Sequence, residues 1–200
     1  MWFQYGETEM NYLKKKDKKL GAAIDRIGKI EREVMPDLFA ALINSIVGQQ
    51  ISSKAAETVW RRLCDRAGDI IPANITNIAP EDIQKCGMSM RKAAYIKAVG
   101  EAAVSGEFDI AGLTRLSDAQ IIKELTSLQG IGVWTAEMLL IFSMQRMDIV
   151  SWGDLAIRRG MCTLYGHKKL DKLKFDRYKK RYSPYGSVAS LYLWAISAEK

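Results

Sequence analysis

A single histidine, His167, is the only imidazole in this 200-residue chain, and Cys64, Cys86 and Cys162 are its only thiols. One imidazole cannot build a metal site. An odd, widely spaced set of cysteines supports neither a disulfide framework nor a zinc or iron–sulfur centre, so no side-chain metal site is expected. Long apolar runs are also missing: the longest, such as MLLIF at 138–142, are far too short to span a bilayer. The opening segment MWFQYGETEMNYLKKKDKKL lacks the basic-then-apolar order of a secretory signal. A cytoplasmic, nucleoid-associated protein with no membrane partner is therefore expected. Alternation of period two never persists beyond four or five residues, and there is no solenoid-period repeat or low-complexity tract. These absences leave an all-α fold class.

What the chain does contain is apolar content at 48% and an excess of base over acid, 30 against 23, for a formal charge of +7. The first suffices for a packed interior; the second favours a polyanionic partner. Helical spacing recurs along the chain. Leu38, Leu42 and Ile46, then Ala55, Val59 and Leu63, predict two helices that meet near GQQIS, with Ser52 or Ser53 capping the second. Pro80 marks another helix start, and Gly87 interrupts the pattern before SMRKAAYIKAVGEAAV resumes it. Ser117 caps a helix with Ile121, Ile122, Leu125 and Leu128 on one face. Two segments are strongly basic, KKKDKK at 14–19 and KKLDKLKFDRYKKRY at 168–182. The second reads as a solvated helix face with Phe175, Tyr178 and Tyr182 packed inward, or alternatively as a phosphate contact.

The stretch LQGIGVWTAEML at 128–139 reads helix, tight reversal, helix. Gly130 and Gly132 permit positive φ and present no side chain to an approaching ligand, while the turn amides and the following helix start form an anion nest. SLQGIGVWTAEMLLIF followed by DIVSWGDLAIRRG resembles the helix-hairpin-helix DNA glycosylases, and within them the DNA-3-methyladenine glycosylase II group. SIVGQQISSKAA, CGMSMRKAAYI and YSPYGSVASLYLW are similar to that group's segments, in the same order, over residues 36–196.

The resemblance implies two helical subdomains flanking a DNA-binding cleft, one spanning 36–147 with the hairpin, the other built from 1–35 and 148–200. It makes Gly130, Ile131 and Gly132 the phosphate-gripping turn, with a monovalent cation, K+ or Na+, held by its backbone carbonyls and no other cofactor. Asp154 matches the catalytic aspartate. Read alone, Asp154 is a helix N-cap, and the two roles are compatible because an anion suits the positive end of a helix dipole. Trp134 stands where strand-cleaving relatives carry a lysine, and an indole forms no Schiff base, so hydrolysis alone is expected. Trp134 and Trp194 are expected to line the base pocket, with Met138 in place of an aromatic found in some relatives. Gln50 matches the side chain that fills the gap left by an extruded base, and Met88 matches a second wedge.

The function so implied is a monomeric, monofunctional glycosylase for alkylated purines in damaged double-stranded DNA. Deaminated or oxidised bases on the same fold, or a non-catalytic helix-hairpin-helix DNA-binding protein, are the alternatives. Two departures stand out. The four-cysteine iron–sulfur loop of the endonuclease III relatives is missing, and Gly186 in PYGS occupies the place of an arginine in many relatives.

Overall fold

The computed structural model describes residues 1–199. Its helices are α1 (Glu7–Lys16), α2 (Lys18–Ile27), α3 (Leu38–Gly48), α4 (Ser53–Ala67), α5 (Pro72–Thr76), α6 (Pro80–Gln84), α7 (Met90–Ser105), α8 (Asp118–Ser127), α9 (Val133–Phe142), α10 (Leu155–Tyr165), α11 (Lys172–Tyr182) and α12 (Gly186–Ala198), with a 3-10 turn at Gly112–Arg115. Among the described residues there is no β-strand, only an isolated bridge between Trp2 and Glu33. No described helix is long and apolar enough to cross a membrane.

Local chemistry sets most helix starts. Ser52, Ser89 and Ser117 accept the amides of Ala55, Lys92 and Gln120, and Gln120 returns a bond to the Ser117 amide, completing a capping box. Asp17, Asp37, Asp154 and Asp171 do the same for α2, α3, α10 and α11. Each such cap contributes on the order of 1 kcal/mol. Pro72 and Pro80 occupy the first turns of α5 and α6, where their missing amide costs nothing. Gly87, placed between helices by its sequence, has φ +115°.

The chain divides into two compact units, Met35–Leu139 and Met1–Val34 with Leu140–Lys200. The second division falls inside α9, where Thr135, Ala136, Leu139, Leu140 and Ile141 are buried and Val133 and Trp134 are exposed. In the Met35–Leu139 unit, Leu42, Ile46, Leu63, Ile75, Ile83, Ile96, Ile121 and Leu125 form the core. The expected stripe on α4 begins at Val59, since Ala55 lies in the exposed first turn.

In the other unit, α10 and α12 touch backbone to backbone. A Cβ on Gly160 would lie 2.1 Å from the Leu193 carbonyl oxygen, so only glycine allows this approach. Around that crossing, Leu13, Leu20, Ile24, Ile157, Met161, Phe175, Tyr182 and Tyr192 are buried. Phe175 and Tyr182 thus point inward as the pattern of α11 suggests, while Tyr178 stacks on Tyr165 with centroids 3.9 Å apart.

Candidate functional site

The reversal between α8 and α9 has an inner and an outer glycine. Gly130 has φ +86°, and a Cβ there would approach the Tyr95 ring to 2.4 Å. Ile131 is only 5% exposed and anchors the turn, its amide donating to the Leu128 carbonyl at 3.2 Å. Gly132 does not use that freedom: it adopts no positive φ, because it already serves as the first residue of the helical ladder, its carbonyl accepting from the Ala136 amide. A Cβ on Gly132 would meet nothing within 4 Å. The protein's own packing therefore explains the glycine at 130 and not the one at 132.

The α3–α4 loop is tied to this turn. Gln49 Nε2 donates to the Gly130 carbonyl at 2.8 Å. Lys92 Nζ donates to the Val47 carbonyl at 2.9 Å and also to that of Gln49, satisfying the end of α3. Burial pulls the Lys92 ammonium below the usual lysine range. Held in this way, Gln50 takes φ +60°, a conformation that costs a non-glycine residue on the order of 1 kcal/mol or more. Such an outlier points to a demand on where the side chain is presented.

A recess of about 490 Å³ opens between these elements. Ser45, Gly48, Gln49 and Gln50 line it from α3 and its loop, and Trp134, Thr135 and Met138 line it from α9. Three of the residues singled out by sequence thus share one cavity. The Trp134 indole is 47% exposed, unusually open for so large an apolar group. Met88 is half-buried in the turn after α6 and does not line the recess.

Asp154 and Trp194 belong to the other unit. Asp154 is 7% exposed, and its Oδ1 accepts from the Ile157 amide at 2.9 Å, the expected N-cap of α10. The segment leading to it is stitched to α12. Ser187 donates its hydroxyl to the Arg146 carbonyl at 2.6 Å, accepts from the Ile149 amide at 3.0 Å, and bonds its own amide to the Met147 carbonyl at 2.9 Å. Ser190 Oγ donates to the Ile149 carbonyl at 2.9 Å. Asp148 accepts from the Ser183 hydroxyl and, at 3.1 Å, from the Gly186 amide. A Cβ on residue 186 would lie 2.8 Å from both Asp148 Oδ1 and Val150 Cγ2. Trp194 is half-buried against Phe142, with ring centroids 5.5 Å apart, and the Arg32 guanidinium sits 5.1 Å over Phe142.

Gln49, Lys92, Asp148, Ser187 and Ser190 are the positioning residues that sequence reasoning did not single out. Lys92 lies inside the motif segment CGMSMRKAAYI, and Ser187 and Ser190 inside YSPYGSVASLYLW, but none carries a local signal naming its distant carbonyl. Among the described residues no group of His, Cys, Asp and Glu could hold a metal ion.

Known proteins resemble this chain in sequence and fold. The family described as HhH-GPD superfamily base excision DNA repair protein matches residues 43–183. A DNA-3-methyladenine glycosylase of Schizosaccharomyces pombe is 35% identical over 167 residues, 80% of this chain and 72% of that protein. The crystal structure of a DNA-3-methyladenine glycosidase from Bacillus halodurans superposes with a TM-score of 0.88 at 34% identity, covering 99% of this chain and 93% of the other. The Schizosaccharomyces pombe 3-methyladenine DNA glycosylase in complex with abasic DNA gives 0.81 at 30% identity, covering 94% and 95%.

Proposed function

Because the chain belongs to the HhH-GPD superfamily of base excision DNA repair proteins, we propose that it is a monofunctional glycosylase. In this reading it extrudes alkylated purines such as 3-methyladenine from double-stranded DNA and hydrolyses their N-glycosidic bond, leaving an abasic site. It acts as a monomer on the nucleoid. The observation that carries the reading is the recess on which Trp134, Met138 and Gln50 converge.

Extruding a nucleotide costs a few kcal/mol, least for a damaged base. Gln50, held at φ +60° on a loop tied to the hairpin, is suited to fill the gap, with Met88 as a wedge on the opposite strand. The amides of the turn at Gly130, Ile131 and Gly132 grip the backbone phosphate, and the open space at Gly132 leaves room for that oxygen. A purine alkylated on a ring nitrogen is cationic. The face of Trp134, and that of Trp194, attracts it by about 0.5 to 2 kcal/mol, with Met138 as apolar wall.

The bond between sugar and base then breaks with its electron pair passing to the base, which leaves neutral, while positive charge develops on the deoxyribose. Asp154, fixed by its bond to the Ile157 amide, stabilises that charge and orients the water that attacks the sugar and loses a proton. No residue in the recess supplies an amine for strand cleavage.

The expected monovalent cation fits the oxygen donors of the hairpin. The Leu128 carbonyl accepts from Ile131 and the Gly130 carbonyl from Gln49, and each retains a second lone pair. A cation bound there would add positive charge beside the phosphate.

The test is to incubate methylated duplex DNA with wild type and Asp154→Asn and to quantify released bases. Release of 3-methyladenine by wild type alone is expected. No release by either overturns the glycosylase reading, and equal release overturns the role of Asp154. Preferential release from competing duplexes with deaminated or oxidised bases overturns the alkylpurine assignment. A borohydride-trapped adduct on an abasic duplex would refute the monofunctional one.

A further inference from the structure

The positive charge of this protein comes from two short segments. Residues 14–19 and 168–182 hold 13 basic residues against 3 acidic ones, and the remaining chain holds 17 against 20. The fold brings the segments together around Asp17, which lies between α1 and α2. Asp17 caps α2 through the Leu20 amide, and its Oδ2 accepts from the Tyr165 hydroxyl at 2.7 Å and from Arg181 at 2.6 Å. Tyr12, on α1, donates to the Ser183 carbonyl just past the end of α11 at 2.7 Å. Cations lie over nearby rings: Lys16 over Tyr12, Lys19 over Tyr165 and Arg181 over Tyr178, at 5.4, 6.0 and 5.3 Å from the ring centroids.

The bland account is that lysines in the last turns of α1 and α11 complement the helix dipoles. That explains each cluster and not their convergence, which brings two negative helix ends and two groups of like charge to one place. Local acids do not neutralise it. Lys14 pairs with Asp25 and Arg181 with Asp17, but among the described residues Lys15, Lys16, Lys18, Lys19 and Lys180, all exposed, have no acidic partner. Concentrating charge in this way is destabilising unless a polyanion relieves it.

We propose that the α1–α2 junction and the end of α11 form a phosphate-binding face for undamaged duplex DNA, built from residues distinct from the hairpin and the recess. It supplies sequence-independent, salt-sensitive affinity. The apolar neighbours Leu13, Leu20 and Tyr182 are buried beneath the face, so it offers nothing to insert into a bilayer and suits a hydrophilic polyanion. The proposal rests on the DNA-binding part of the functional reading and not on glycosylase activity.

Two variants test it: Lys15→Gln with Lys16→Gln, Lys19→Gln and Lys180→Gln, and, on the last turn of α11 only, Lys179→Gln with Lys180→Gln. Binding to an undamaged fluorescent duplex is followed by anisotropy over about 50 to 200 mM salt. Expected are an affinity loss of about tenfold or more for the first variant, a smaller loss for the second, and a log–log salt dependence shallower by about 0.9 per phosphate contact removed. Unchanged affinity and slope in both variants overturn the proposal. So does loss of binding to phosphatidylserine vesicles with DNA affinity intact. If the first variant melts early, the second decides. A wild type that releases no base but shows the expected change in salt slope leaves this face standing while the glycosylase reading fails.

Discussion

The unit Met35–Leu139 carries 10 lysines and arginines against 12 acids, whereas the unit formed by Met1–Val34 and Leu140–Lys200 carries 20 against 11. The unit with the hairpin proposed to grip a phosphate is thus the one with no net positive charge to offer. In the proposed reading its grip comes from backbone amides, which are fixed in direction, lose no side-chain entropy and impose a register on the strand. Long, mobile lysines serve the opposite purpose in the other unit, where attraction matters more than placement. In the two proposals together, the same polymer is met by geometry in one unit and by charge in the other.

The sharpest way to test that division is to remove the one anion given a chemical role in the basic unit. Asp154→Asn should lower the single-turnover rate of base release by about 10²- to 10³-fold, the scale of losing one fixed electrostatic stabiliser. Because asparagine caps a helix as well as aspartate does, the melting temperature should barely move. A large fall in stability would mean that the carboxylate is structural.

In the neutral unit the two hairpin glycines should separate. Gly130→Ala places a Cβ at positive φ against Tyr95 and should cost on the order of 1–3 kcal/mol in denaturant unfolding. Gly132→Ala should cost less than about 1 kcal/mol but weaken duplex binding about tenfold, the worth of one charge-assisted hydrogen bond. If Gly132→Ala binds normally, the amides there hold no phosphate. Lys92→Met should leave the Val47 and Gln49 carbonyls short of a donor, costing about 1–2 kcal/mol, and should raise the KM for damaged duplex more than it lowers kcat.

The smallest effect concerns the anchor of the basic face. Burial pushes the Asp17 carboxyl up, but the Leu20 amide, the Tyr165 hydroxyl and Arg181 outweigh it and hold it below the usual carboxylate range. A depressed carboxylate stabilises the fold above its unfolded pKa of about 3.9 and loses that contribution as pH falls through the lower folded value. Asp17→Asn should therefore be about 1 kcal/mol less stable near neutrality, with the gap closing below about pH 4. A gap constant from pH 7 to pH 2 would show that the charge on Asp17 is immaterial.

These residues also mark how far the chain could be read unaided. Caps such as Ser52, Ser117 and Asp154 were legible because their partners lie three residues away. Gly130 and Trp134 were legible because motif and local geometry coincide in one turn. Lys92 was not, since its acceptors lie 43 and 45 residues off, and no periodicity encodes a tie of that span. The different roles of Gly130 and Gly132 were not legible for a related reason: two glycines flanking one residue look alike in sequence, and only the position of Tyr95 and the start of the α9 ladder distinguish them.

Gly186 bears on how such a sequence can change. The arginine that the family resemblance places here would require a shift, because its first side-chain carbon would lie 2.8 Å from Asp148 Oδ1 and Val150 Cγ2. Asp148 cannot be exchanged freely, since it holds the amide of Gly186 and the hydroxyl of Ser183. A side chain at 186 therefore depends on how far Asp148 and Val150 can give way. A combinatorial library varying 148, 150 and 186 together should therefore accept side chains at 186 that a scan of single substitutions rejects.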